Sequence, residues 1–139
     1  MAKFVLTEPV VVFAGSTVTT SVASVTISLE ADDVETTAFG GSGWRSRVTG
    51  LKAGTFDMEI HQDFGASAID SLVYDAFSAG TAAVTVIPGG TAAVSATNPS
   101  FAFTCAVTSY TPVDGAVGDL ATASYSFPIS GAVTRGTGA

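Results

Sequence analysis

The chain has 139 residues, enough for one domain with a true hydrophobic core. Apolar residues make up 47% and charged residues only 12%, about half the usual quarter, so the polar surface is mostly Ser, Thr and Gly. A net charge of −7 with five basic residues excludes a phosphate-binding stripe, and with it sequence-specific nucleic-acid binding or attraction to anionic membranes.

The first residues, Phe4 to Phe13, are apolar with Pro9 in the middle. Proline is confined to edge strands and bulges, so residues 1–15 read as an N-terminal arm or edge strand. Glu8 and Pro9 interrupt the run before a secretory h-region forms, and no window approaches a membrane span. Val25, Ile27 and Leu29 then alternate with Thr26, Ser28 and Glu30, the pattern of a half-buried strand.

Between Glu30 and Gly54 lies a long polar insert. It opens on Glu30, Asp32, Asp33 and Glu35, passes Phe39 and the glycine run 40–43, and continues into Trp44, Arg45 and Arg47. It holds the sole Trp and three of the five basic residues. Loops longer than about 12 residues in compact domains are usually functional or disordered. The insert reads as a hairpin loop that docks on another copy of the chain, with Phe39 and Trp44 as anchors. Its acids would pair with Arg45, Arg47 or Lys52 of that neighbour.

The next strand has the clearest alternation. Phe56, Met58 and Ile60 face one way, and Asp57, Glu59 and His61 the other. Ser67 to Ala79 reads as the one helix, with Ser67 as N-cap, Asp70 in the first turn and Gly80 as the stop. Its apolar stripe is Ile69, Leu72, Val73, Ala76 and Phe77, so Phe77→Asp is expected to unfold the chain. Short strands follow over Ala82–Ile87, Phe101–Tyr110 and Leu120–Ile129, and residues 130–139 read as a C-terminal arm. The sum is one domain over residues 1–139. It is mainly β, an antiparallel β-sandwich or barrel-like fold with one flanking α-helix and a long hairpin loop.

Candidate chemistry is sparse, and no residue is assigned a catalytic, cofactor or metal-binding role. Asp57 and Glu59 have a spacing that suits a glycosidase pair, but nothing near them raises one pKa. His61 is the only histidine and no G-x-S-x-G elbow surrounds any serine. The acids at 30–35 depart from the calcium-loop pattern, and no Lys-Ser/Thr follows the glycines of 40–43. Cys105, the sole cysteine, alternates with Phe101, Phe103 and Val107 as a small core hydrophobe. Pro99 excludes glycosylation at Asn98.

The run from Asp33 to Gly40, then Arg45, Arg47 and Gly50-Leu51-Lys52, and the strand with Phe56 and Met58 resemble the tail tube (major tail) proteins of long-tailed, non-contractile bacteriophages. Gln62-Asp63-Phe64 before the helix is similar too, as are Tyr110-Thr111-Pro112, Gly118-Asp119, Ser124, Phe127 and Thr134-Arg135. The resemblance implies a structural virion protein and not an enzyme, assembled in the host bacterial cytoplasm and located in the phage tail. Hexameric rings would stack into a tube, with the loop and both terminal arms reaching adjoining subunits. A tape measure protein would fill the lumen, tail tip or terminator proteins would bound the tube, and double-stranded DNA would pass through it without sequence-specific binding. Asp57, Glu59 and Glu30 are then candidates for the lumen wall. A capsid decoration or tail-completion β-protein, or a carbohydrate-binding β-sandwich, are the alternatives.

Overall fold

A computed structural model describes residues 5–6, 9–66, 68–90 and 94–138. The strands in chain order are β1 (Val10–Phe13), β2 (Ser16–Thr17), β3 (Val22–Glu35), β4 (Arg47–His61), β5 (Thr81–Ile87), β6 (Ser100–Ala106) and β7 (Thr122–Gly136). The helix α1 (Ile69–Ala79) stands between β4 and β5, and a 3-10 turn covers Thr19–Ser21. All paired strands run antiparallel, in the order β2-β1-β5-β6-β7-β4-β3. The mainly β antiparallel architecture with one helix is the one expected.

One strand turns this single sheet into two facing layers. The first half of β7, Thr122 to Pro128, pairs with β4, while Ile129 to Gly136 pairs with β6. In a flat sheet β1 and β7 would be about 14 Å apart, three strand spacings. Instead the rings of Phe13 and Phe127 lie 6.5 Å apart, and those of Phe56 on β4 and Phe103 on β6 lie 5.3 Å apart. The sheet is therefore folded over on itself. Alternation puts Phe56, Met58 and Ile60 from one half against Val11, Phe13, Val84 and Cys105 from the other in one buried cluster. Cys105 is fully buried, and desolvation pushes its thiol up to about 11.

The helix places Ile69, Val73 and Ala76 in this cluster, and Gly80 ends it in the left-handed conformation, φ 91°, donating its N–H to Ala76 O. The expected stripe was too wide. Leu72 is only partly buried and Phe77 is 45% exposed, turned onto Tyr110 at 6.2 Å between ring centroids. The helix buries only Ile69, Val73 and Ala76 fully, so the stripe's edge faces solvent. Ser67, the expected N-cap, lies outside the described residues, as do residues 1–4, 7 and 8 of the N-terminal arm.

Residues 30–54 form the hairpin expected of them, and the ladder between β3 and β4 runs unusually far, out to Glu35↔Arg47. One segment differs from its reading. Residues 130–139 are not mainly a free arm, since Ser130 to Gly136 belongs to β7 and pairs with β6. The glycines there hide a strand: Gly131 adopts φ 87° and β7 bulges between Ser130 and Thr134.

A polar clasp ties the β6–β7 loop to the helix start. The Gln62 side-chain amide donates to Asp70 (3.2 Å) and to Pro112 O (2.7 Å), and Tyr110 donates its hydroxyl proton to Asp70 (2.9 Å). Tyr125 donates to Thr111 O at 3.1 Å. Burial, then the Asp70 hydrogen bond and charge, push the Tyr110 phenol from its ordinary 10.0 up to about 12. The fold thus favours the neutral phenol. Its contribution to stability is whole below pH 10 and is lost as pH climbs toward 12.

Tyr110→Phe is expected to lessen the fall of the thermal midpoint between pH 10 and 12 while lowering it at neutral pH, as followed by circular dichroism. Phe56→Ala should cost about 3–5 kcal/mol in urea unfolding, whereas Phe77→Ala should cost roughly 1 kcal/mol and leave the chain folded.

Candidate assembly surfaces

The outer halves of β3 and β4 form a two-stranded arm. Its ladder runs Leu29↔Gly54, Glu30↔Ala53, Ala31↔Lys52, Asp33↔Thr49, Val34↔Val48 and Glu35↔Arg47, with a bulge after Ala31. Five residues of rise carry the arm about 17 Å beyond Glu30 before the turn begins. Thr36 N–H donates to Ser46 O at 2.8 Å and Ser46 N–H to the Thr37 hydroxyl at 2.9 Å, which closes the turn. Gly40, Ser42 and Gly43 take positive φ, so the glycine run shapes a tight tip.

Every residue from 28 to 53 is exposed. Phe39 is 108% and Trp44 80% exposed at the tip, and Leu51 is 82% exposed on the shaft. A two-stranded hairpin is marginally stable by itself in water, and soluble monomers rarely present this much contiguous apolar surface.

The charged residues of the insert are brought together, but within one chain. Arg47 pairs with Asp33, its diagonal neighbour across the ladder, and Arg45 lies 3.8 Å from Glu35. Both pairs are largely exposed, so each contributes at most about 1 kcal/mol. Alternation puts Glu30 and Asp32 on one face of the ribbon and Asp33 and Glu35 on the other. The four acids therefore do not converge, and among the described residues no group of three or more His, Cys, Asp or Glu side chains has metal-binding geometry.

The second surface is the outer face of β3, β4 and β7. Asp57 sits between Thr26 and Ser126, and Glu59 between Ser24 and Ser124, with His61 opposite Thr122. Glu30 continues this face toward the arm, opposite Ala53. The inward partners of the same strands are Phe56, Met58 and Ile60, all buried. The result is a broad hydroxyl-rich face with isolated carboxylates and no nucleophile–base pair.

Neither a family model nor a curated protein matches the sequence. Solved structures do match. A chain of the virion of a native gene transfer agent particle superposes with TM-score 0.70 at 16% identity, over 92% of this chain and 95% of that one. A chain from the tail of an empty gene transfer agent particle, determined with C6 symmetry, gives 0.63 at 20% identity over 87% of both chains. A chain of the sheath-tube complex of an extracellular contractile injection system in its extended state gives 0.63 at 14% identity, over 94% and 88%. The fold of this chain is shared with chains of these three assemblies. It spans contractile and other particles alike, so it does not single out the non-contractile type.

Replacing residues 32–51 by an Asn-Gly turn between Ala31 and Lys52 should leave a folded domain, because the deleted residues are all exposed. A urea midpoint lowered by no more than the equivalent of about 1 kcal/mol is the expected result.

Proposed function

We propose that this protein is the subunit of a phage-like tail tube, a structural virion protein that assembles with copies of itself into stacked hexameric rings. The exposed arm carries this reading. A ribbon of 26 residues, all exposed among the described residues and with aromatic residues at its tip, gains stability when a neighbour covers it. The likeness in fold to a chain from a C6-symmetric tail supports a ring of six. Contacts between unlike patches close a ring only when the geometry allows, and stacking of rings then extends a filament. The low charge density of the surface fits a subunit covered on several sides.

The hydroxyl-rich face with Asp57, Glu59 and Glu30 lines the lumen in this reading, and double-stranded DNA passes along it without specific binding. A basic wall would hold the phosphate backbone through counterion release. An acidic wall repels it weakly, by about 0.4 kcal/mol for two unit charges 10 Å apart in water. A tape measure protein occupies the lumen during assembly, and tail tip and terminator proteins close the ends. The subunit works as a wall and not as a catalyst.

Negative-stain microscopy of the purified protein should show rings and tubes, and the variant lacking residues 32–51 should form none. Trimers or single rings that never lengthen would favour a decoration or completion protein instead. Asp57→Lys combined with Glu59→Lys should assemble normally yet slow DNA release from particles carrying it, and unchanged release would move the lumen to another face.

A further inference from the structure

The loop between β6 and β7 carries a dipeptide with chemistry of its own, Asp114-Gly115. Of the eight aspartates, Asp114 alone is followed by glycine, and the single asparagine, Asn98, precedes Pro99. This matters because the backbone nitrogen of the next residue can attack an aspartate or asparagine side chain and close a five-membered ring. Glycine offers that nitrogen with no side chain in the way, whereas proline has no N–H to give. Glutamate would need a larger ring. The sequence thus leaves one position where this closure is unhindered.

The structure leaves that position free to react. Asp114 and Gly115 are exposed and lie outside every strand and helix. Among the described residues, neither the Asp114 carboxylate nor the Gly115 N–H has a hydrogen-bond partner. A Cβ placed on Gly115 would meet nothing nearer than Ala121 Cα at 3.8 Å, so a ring has room to form. Other aspartates are held. Asp70 accepts from Gln62 and Tyr110, Asp63 accepts the Gly65 N–H at 2.9 Å, and Asp33 pairs with Arg47. The free dipeptide also lies between two fixed points. Before it, Pro112 O accepts from Gln62 at 2.7 Å, and after it, the Asp119 N–H donates to Ala116 O at 3.1 Å.

We propose that Asp114-Gly115 is a site of spontaneous modification, at which aspartate converts to isoaspartate. The Gly115 nitrogen bonds to Cγ of the protonated Asp114 carboxyl, and the hydroxyl leaves as water with the amide proton. Water then opens the succinimide at one of its two carbonyls. Opening at Cγ restores aspartate. Opening at the main-chain carbonyl leaves Gly115 joined through Cγ, with a free carboxylate on the Asp114 Cα. One water is lost and one regained, so the mass is unchanged and no other reactant is needed. The backbone gains one methylene between the two fixed points, in the stretch that displays the exposed Val113 and Val117. The site is independent of the self-assembly reading.

Ageing the purified full chain at neutral pH tests the assignment. Isoaspartyl O-methyltransferase with a labelled methyl donor should add label in proportion to the time of ageing, and electron-transfer fragmentation should place the isoaspartate at residue 114. Asp114→Glu should lose the label. Asp114→Asn closes the same ring with ammonia as the leaving group, so it should convert faster and gain mass as the amide becomes an acid. Because the loop leaves the dipeptide unrestrained, the folded chain should convert at the rate of a free peptide of residues 111–119. Label that persists in Asp114→Glu, isoaspartate found mainly at another aspartate, or a folded chain that stays unmodified while the peptide converts would each overturn the site.

Discussion

The handover of β7 from β4 to β6 is the constraint on which the rest of the molecule depends. At Pro128 the strand reaches the end of its pairing with β4, and from Ile129 its partners lie on β6. Because one covalent strand belongs to both halves, the halves must face each other, and their apolar faces close into a single core. The Phe13–Phe127 and Phe56–Phe103 contacts are the direct consequence. Burial of these rings supplies stabilisation at about 25 cal/mol per Å² of apolar surface removed from water. The divergence at the arm root is the other face of the same event, since a strand that leaves its neighbour uncovers that neighbour's edge.

The arm draws its order from a long ladder and little else. Its two ion pairs are exposed, and its apolar side chains meet no core. In a solitary protein such a feature would be a liability, an open edge with large rings at the end. In an assembly the same properties become useful, because unsatisfied edges and exposed aromatic surface are what a neighbouring copy can cover. The structure therefore divides into a buried core and an exposed projection that gains cover in the assembly we propose. The clasp of Gln62, Asp70 and Tyr110 keeps the opposite side of the core closed by anchoring a long exposed loop to the helix.

Much of this was legible from local pattern. The alternation of Phe56, Met58 and Ile60 with Asp57, Glu59 and His61 marks one strand with a dry and a wet face, and period-two patterning is a property of each strand alone. The burial of Cys105, the helix with Gly80 as its stop and the outward reach of the insert follow from the same kind of reasoning. Phe77 misled because helical periodicity reports which residues share a face, while the width of the buried stripe depends on what packs against it. Residues 130–136 misled for a related reason. Gly131, Ala132 and Gly136 weaken strand propensity, and the segment is a strand because its partner across the sheet holds it there.

By itself, the sequence determined a one-domain β-rich chain with few charges, an acidic balance and a projecting aromatic-tipped insert, because composition and short-range alternation are written locally. Only the tertiary structure decided that the insert is a continuous ribbon with its acids split between two faces and partly neutralised by its own arginines. It alone decided that β7 serves both layers, and that β4 and β7 part at the arm root. Those features depend on which distant segments hydrogen-bond to each other. Pairing between residues as far apart as Thr55 and Pro128 leaves no periodic trace in either segment.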